Sequence, residues 1–232
     1  MTEMSALTRS GNLDGYLPWP PAHGRSHAED RELGGTIECI GVPILFRRHA
    51  EIYGEGEPAE YLYKVASGAV RTSKVLSDGR RQIGGFYLQD DIFGLETGAE
   101  HAFSAEAITE CRVLVIKHSA LLARAKTDHE VAFQLWMLTG RDLRLLQDHM
   151  LLLIKNAPEC VAAFLLALAE RSSTGDSIEL PMSRQDIADH LGLTIETVSR
   201  TLAHLESINA IKFLSVRRIV LQNRRALSRL NA

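Results

Sequence analysis

The sequence has 232 residues, enough for one large domain or two modest ones, with 45% hydrophobic and 24% charged side chains and a formal net charge of −3. No apolar run approaches the roughly 18 residues a membrane span requires, and the first 35 residues lack the continuous apolar core of a secretory signal. A membrane protein and a uniformly basic nucleic-acid coat are excluded, and a cytoplasmic protein is expected.

Residues 1–35 form the first segment and are predicted to be a flexible arm. From 36 to 120, short apolar runs such as YLYKVASGAVRTSKVL, RQIGGFYL and CRVLVI alternate with glycine and charged pairs. Strands rich in Val, Ile, Tyr and Phe with turn residues between them predict an antiparallel barrel or sandwich. Asp78-Gly79, flanked by two such runs, predicts a hairpin tip.

From 121 to 155 no proline interrupts the chain and Gly140 is the only glycine. Val131, Leu135, Leu138, Leu145 and Leu152 recur at alternating spacings of four and three, and Trp136, Leu143, Leu146, Met150 and Leu153 widen the stripe. One long helix is predicted, with more apolar surface than a single barrel contact would cover. Leu135, Leu138, Leu145, Leu146, Met150, Leu152 and Leu153 are therefore expected to pair two copies as a homodimer.

Residues 156–232 change character again. Pro158 is suited to opening a helix, and after that helix comes a short strand, SIELPM. Two more helices follow, then two alternating strands, AIKFL and RRIVLQ, and a polar terminal helix. Residues 1–154 carry 16 basic and 21 acidic side chains against 10 and 8 in 155–232, and from Ser207 onward there are six basic residues and no acidic one. The C-terminal part is thus the one suited to meet an anion.

The two helices after SIELPM carry the sharpest signal. Ser183 is placed as an N-cap with Asp186 three residues on, Ile187, Ala188 and Leu191 form an apolar side, and Gly192 and Thr194 make a tight turn into the next helix. On that second helix Val198, Leu202 and Leu205 form the buried stripe. Glu196, Ser199 and Arg200 then face outward near its N-terminus, with Ile195 and Thr197 beside them. Arginine can donate two hydrogen bonds to a guanine edge and glutamate can accept from cytosine, which suits the major groove of double-stranded DNA. Glu196 and Arg200 are also spaced to pair with each other.

The three cysteines, Cys39, Cys111 and Cys160, lie too far apart for a metal or Cys-x-x-Cys redox pattern. No metal site is expected; Cys111 and Cys160 are candidates for a redox-responsive thiol. The sequence contains no G-x-S-x-G, H-E-x-x-H, P-loop or dinucleotide glycine pattern, so no enzymatic activity is expected.

MSRQDIADHLGLTIETVSR closely resembles the helix-turn-helix signature of the CRP/FNR superfamily of bacterial transcription regulators. GEGEPAEYLYKVASGAVRTSKVLSDGRRQ resembles that family's β-roll. The resemblance implies an α+β protein: an N-terminal antiparallel β-roll of the cyclic-nucleotide-binding type, a long dimerisation helix and a C-terminal winged helix-turn-helix. It implies that Glu196, Ser199 and Arg200 read TTGA-like half-sites of an inverted repeat, as in the FNR branch. It further implies that Ser183, Arg184 and Gln185 touch phosphates and that the loop around Asp78, Arg80 and Arg81 contacts RNA polymerase; Thr194 is a further candidate for a phosphate contact. Arg217 and Arg218 on the second hairpin are additional candidates for backbone contacts.

In the family, a Gly-Glu pair and an Arg-Ser pair hold the cyclic nucleotide. Here the matching stretch, FGLETGAEHAFSAEAIT, has no lysine or arginine from Gly94 to Thr109 and has three glutamates, so a cyclic phosphate would meet net repulsion. Residues 1–38 have no cysteine for the iron–sulfur cluster of the oxygen-sensing branch. No cofactor is therefore expected, which resembles the FixK-type regulators, activators placed downstream of oxygen-responsive signalling. Two alternatives stay open: a roll that binds haem or another small ligand, with His101, His118 and His149 available, and an interaction module that ignores DNA.

Overall fold

The computed structural model describes residues 40–96, 98–152, 154–171 and 175–231. The predicted arm, Cys39 and Leu153 lie outside these residues.

Eight strands build the N-terminal roll: β1 (Val42–Phe46), β2 (Glu51–Tyr53), β3 (Tyr61–Ser67), β4 (Val70–Val75), β5 (Arg81–Tyr87), β6 (Ile92–Phe93), β7 (Ser104–Ala107) and β8 (Cys111–Lys117). They form two antiparallel four-stranded sheets, ordered β1-β8-β3-β6 and β2-β7-β4-β5. Alternation along the strands directs Tyr53, Tyr63, Val65, Val70, Phe93, Ala105 and Val113 into one interior. The β4–β5 hairpin closes as expected at Gly79, whose φ is +84° and whose amide donates to the Leu76 carbonyl. Gly68 makes the tighter turn from β3 to β4, at φ +87°.

The expected single helix over 121–155 is two helices, α1 (His118–Thr127) and α2 (His129–Leu152). Asp128 interrupts them in an extended conformation, φ −130° and ψ 101°. Its carboxylate Oδ1 accepts from the amides of Glu130 and Val131 at 3.2 and 3.5 Å. An aspartate placed to cap the next helix competes with helix continuation, because it satisfies amides that helical carbonyls would otherwise serve.

The apolar stripe of α2 is also divided. Val131 and Leu138 are buried, and Leu135 partly so, against Leu62, Ile92 and Ile116 of the same chain's roll. Leu152 packs instead on the C-terminal core. Leu145, Leu146 and Met150 are exposed, as are Phe133, Trp136 and Leu143. Of the residues expected to pair two copies, Leu138 is thus covered within the chain, and Leu135 and Leu152 partly so.

After α2, Asn156 caps α3 (Ala157–Arg171) by a reciprocal exchange with Glu159, and Pro158 sits in the first turn as expected. Then come β9 (Ser177–Glu179), α4 (Arg184–Leu191), α5 (Ile195–Ser207), β10 (Ile211–Ser215), β11 (Arg218–Leu221) and α6 (Arg224–Asn231). The sheet order β10-β11-β9 completes the winged helix-turn-helix. Its core runs through α3 and reaches Ala69, Ile83, Phe86 and Ile108 of the roll, so the two halves share one apolar cluster. Among the described residues no helix is long and apolar enough to cross a membrane.

Candidate nucleic-acid interface

The local chemistry of α4 and α5 follows the sequence closely. Ser183 Oγ accepts from the Asp186 amide at 3.0 Å, and Asp186 Oδ2 accepts from the Ser183 amide at 3.0 Å, so the capping box is complete. Gly192 adopts φ +67°, the left-handed conformation that ends α4. Thr194 Oγ1 accepts from the Thr197 amide at 3.2 Å and starts α5. Val198, Leu202 and Leu205 are fully buried beneath it.

That burial fixes the free side of α5. Glu196 and Arg200 are exposed, Ser199 and Thr197 are half-buried beside them, and Ile195 is 37% exposed at the N-terminal turn. The five residues expected to read bases lie on the outward first two turns. The expected Glu196–Arg200 ion pair does not form among the described residues. Both heads stand in solvent, where water satisfies them and a base edge can replace it.

The candidates for phosphate contact divide into engaged and available groups. The Ser183 hydroxyl donates to Asp186 Oδ2 at 2.8 Å, so its proton serves the cap. Thr194 Oγ1 likewise sits 3.0 Å from Thr197 Oγ1. Gln185 donates to Asp189 Oδ1 at 2.7 Å and keeps a second amide proton. Arg184 lies over the Phe213 ring of the wing, 5.6 Å from its centroid, with its guanidinium exposed. Arg217 and Arg218 are exposed at the β10–β11 turn, and Lys212, which the sequence reading passed over, is exposed on the same strand pair. Its signal was alternation, since Lys212 follows the buried Ile211.

The β4–β5 hairpin departs from expectation at one residue. Asp78 and Arg80 pair at the exposed tip, 2.7 Å apart, and hydrogen bonds from the Arg80 amide and guanidinium hold the Asp78 carboxyl below its ordinary range. Arg81 turns away from the tip. It is drawn into ion pairs with Asp186 and Asp189 of α4, at 2.7 and 2.6 Å, and so is not available as part of an exposed contact loop.

The thiols are also not placed for redox reactivity. Cys111 is buried in the roll and burial pushes its thiol up to about 11. Cys160 is buried in α3, its thiol raised by burial and by Glu159, and its Sγ donates to the Leu152 carbonyl at 3.3 Å. A thiol that stays protonated and covered is a poor nucleophile.

In the roll, the stretch that matches a cyclic-nucleotide pocket is closed by side chains. His101 is 2% exposed and stacks on Tyr53 at 3.6 Å, with Glu96 Oε2 3.5 Å from its Nδ1. Tyr63, Phe93 and Tyr87 continue the aromatic packing. A sugar and base would have to displace these rings, and the stretch from Gly94 to Thr109 offers a cyclic phosphate no lysine or arginine. The residues present do not fit that ligand. His118 and His149 are held elsewhere, His118 Nε2 2.9 Å from the Gly94 carbonyl and the His149 ring 4.7 Å from that of His190. Among the described residues no group of three or more His, Cys, Asp or Glu could hold a metal ion.

Comparison with known proteins bears on both halves. Residues 160–230 match the Crp-like helix-turn-helix domain, and residues 43–128 match the cyclic nucleotide-binding domain. The chain is 48% identical to the nitrogen fixation regulation protein FixK of Azorhizobium caulinodans over 217 residues, 91% of this chain and 88% of that protein. The FixK of Rhizobium meliloti is 42% identical over 178 residues, 76% of this chain and 81% of the other. Among solved structures, FixK2 from Bradyrhizobium japonicum superposes with a TM-score of 0.80 at 50% identity, covering 83% of this chain and 98% of that one.

Proposed function

This chain belongs to the CRP/FNR superfamily of transcription regulators, in its FixK-type branch, and from that premise we propose that it binds DNA as a homodimer at an inverted repeat of TTGA-like half-sites and activates transcription there. The carrying observation is the outward face of α5, where Glu196, Ser199 and Arg200 stand opposite the buried Val198, Leu202 and Leu205. Arg200 is assigned to the guanine of the half-site and Glu196 to the cytosine opposite. Arg184, Gln185, Arg217 and Arg218 flank that face and suit phosphate contacts. Ser183 and Thr194 act through their caps.

The dimer is supported by α2. Trp136, Leu143, Leu146 and Met150 are more than half exposed on a helix whose opposite side is already buried, an apolar face suited to the same face of a second copy. RNA polymerase is the partner proposed for the exposed Asp78–Arg80 tip. The roll acts without cyclic nucleotide, in the cytoplasm and within oxygen-responsive signalling; the protein has no catalytic role.

Titrating affinity for a TTGA palindrome against salt tests the reading. Phosphate contacts predict a steep linear fall of log affinity with log salt. Arg200→Ala is expected to cost about 1–3 kcal/mol and to relax the preference for guanine. A variant that bound the palindrome as tightly as the wild type would show that α5 is not the reading helix.

A further inference from the structure

Asp186 does two jobs with two oxygens. Its Oδ2 accepts from the Ser183 amide and hydroxyl and closes the capping box of α4. Its Oδ1 takes no part in the cap. It accepts from Arg71 Nη1 at 2.8 Å and from Arg81 Nη2 at 2.7 Å, guanidiniums that come from β4 and β5 of the roll. Arg71 is 8% exposed and is anchored from behind by both oxygens of Glu106 on β7, each 2.9 Å from its Nη2. Arg81 also donates from Nε to Asp189 Oδ2 at 2.7 Å, about one turn further along α4. Two carboxylates on one face of α4 therefore grip two arginines from a single hairpin.

Capping does not require this. Ser183 and Asp186 complete the cap between themselves, and buried ion pairs contribute little net stability compared with apolar side chains of the same volume. What planar guanidinium forks add is direction. The apolar seam beside them, where Ile83 and Phe86 meet Phe164 and His190, attracts but does not fix a register. The forks, with two single hydrogen bonds beside them, His190 Nδ1 to the Ile83 carbonyl at 3.1 Å and Gln82 Nε2 to the His190 carbonyl at 3.3 Å, set the angle at which α4 lies on the roll.

We propose that Arg71 and Arg81 are positioning residues for DNA reading: by clamping α4 to the roll they fix the attitude of α5, and with it the separation of the two reading helices in the dimer. The proposal rests on the assignment of α5 as the reading helix. Three residues, 192 to 194, join α4 to α5, so α5 follows α4 as one body. The two reading helices of a dimer must enter successive major grooves, about 34 Å apart. A tilt of α4 on the roll changes that distance and leaves every base-reading side chain in place. Losing the clamp lowers the fraction of dimers in the competent pose, and apparent affinity falls by that fraction.

Removing Arg71 would take out the buried cation between Glu106 and Asp186, so the half-buried Arg81–Asp189 arm is the one to cut. Arg81→Ala, Asp189→Ala and the double variant, each as the full chain, are measured on palindromes at the wild-type half-site spacing, defined by selection from random DNA, and at spacings one and two base pairs longer and shorter. The wild type is expected to prefer one spacing. Arg81→Ala is expected to bind that spacing on the order of tenfold more weakly and to lose the preference among spacings. The order of preference among bases within a half-site stays unchanged. The double variant is expected to be no weaker than the weaker single variant, and Arg81→Lys, which keeps the charge without the fork, to recover part of the affinity. Unchanged affinity and spacing preference in Arg81→Ala would overturn the proposal. So would an altered base preference, which would place Arg81 at the bases. A wild-type protein that bound no inverted repeat would overturn the DNA reading itself, and that result is seen before any variant is compared.

Discussion

The β-roll and the helix-turn-helix dispose of their polar groups in opposite ways. On α5, Glu196 and Arg200 are exposed and unpaired among the described residues. In the roll, the Tyr53 hydroxyl and His101 Nε2 are buried without a protein hydrogen-bond partner, and Glu96 Oε2 has only His101 Nδ1 within reach, at 3.5 Å. Water satisfies the first set at no cost. The Tyr53 hydroxyl and His101 Nε2 cost about 1–3 kcal/mol each and are sustained by the stacking of Tyr53 on His101. The roll is an interior closed around its own side chains, while the outer face of α5 is a surface kept open.

The largest test of that contrast uses two glycines. Gly68 and Gly192 both have left-handed backbones, at φ +87° and +67°. A Cβ on Gly68 would lie 2.4 Å from the Glu110 carbonyl oxygen and 2.6 Å from the Cys111 Cβ, whereas one on Gly192 would meet nothing within 4 Å. Gly68→Ala is expected to destabilise by about 4 kcal/mol, through strain and clash together, read as a drop in denaturation midpoint. Gly192→Ala carries the backbone penalty alone, about 1 kcal/mol. Equal losses would erase the distinction between a packed turn and an open one.

Between these two in size lies an acid effect at the boundary of the regions. His190 is pushed down to about 4 by burial first and then by the charges of His149 and Arg171, against the Ile83 carbonyl that accepts from its Nδ1. In the unfolded chain the imidazole takes its proton near its ordinary 6.5, so stability is fully present above that pH. It is lost as pH falls from about 6.5 to about 4, by roughly 3 kcal/mol in all. Asp186 adds to the same direction at lower pH: burial raises its carboxyl, but Ser183, Arg71 and Arg81 outweigh this and hold it below the usual carboxylate range. Chemical denaturation at pH 7.5, 6 and 5 measures the slope. A flat profile would mean that His190 reaches solvent.

The smallest expected effect is none. A ligand at a hundred times its dissociation constant adds about 2.7 kcal/mol to stability. Millimolar cyclic AMP is expected to leave the melting temperature unchanged, and an upward shift would show that the roll opens to admit it.

Legibility in the sequence followed the range of the interactions. Caps, the Gly192 turn and the α5 stripe act over a few residues, so their spacing carries them, and the outward face of α5 followed directly. The break at Asp128 was also local; its cue was an aspartate preceding Glu130 and Val131, masked by the apolar period running through it. Periodicity located the stripe on α2 without saying what covers it, so Leu135 and Leu138, which face the roll, read the same as Leu146 and Met150, which do not. Arg81 next to Asp78-Gly79 read as part of an exposed tip, because its partners at 186 and 189 lie more than 100 residues away. No pattern along the chain encodes that pairing.

One carboxylate shared between a helix cap and two arginines has a consequence for how this molecule can drift in sequence. Asp186→Asn keeps a capping side chain but leaves Arg71 and Arg81 facing a neutral amide; Asp186→Glu keeps the charge and loses the three-residue reach to Ser183. Replacing Arg71 leaves Glu106 and Asp186 as two like charges without the cation between them. No single step at these positions satisfies both jobs. Positions 71, 106 and 186, scattered over half the chain, therefore constrain one another's substitutions.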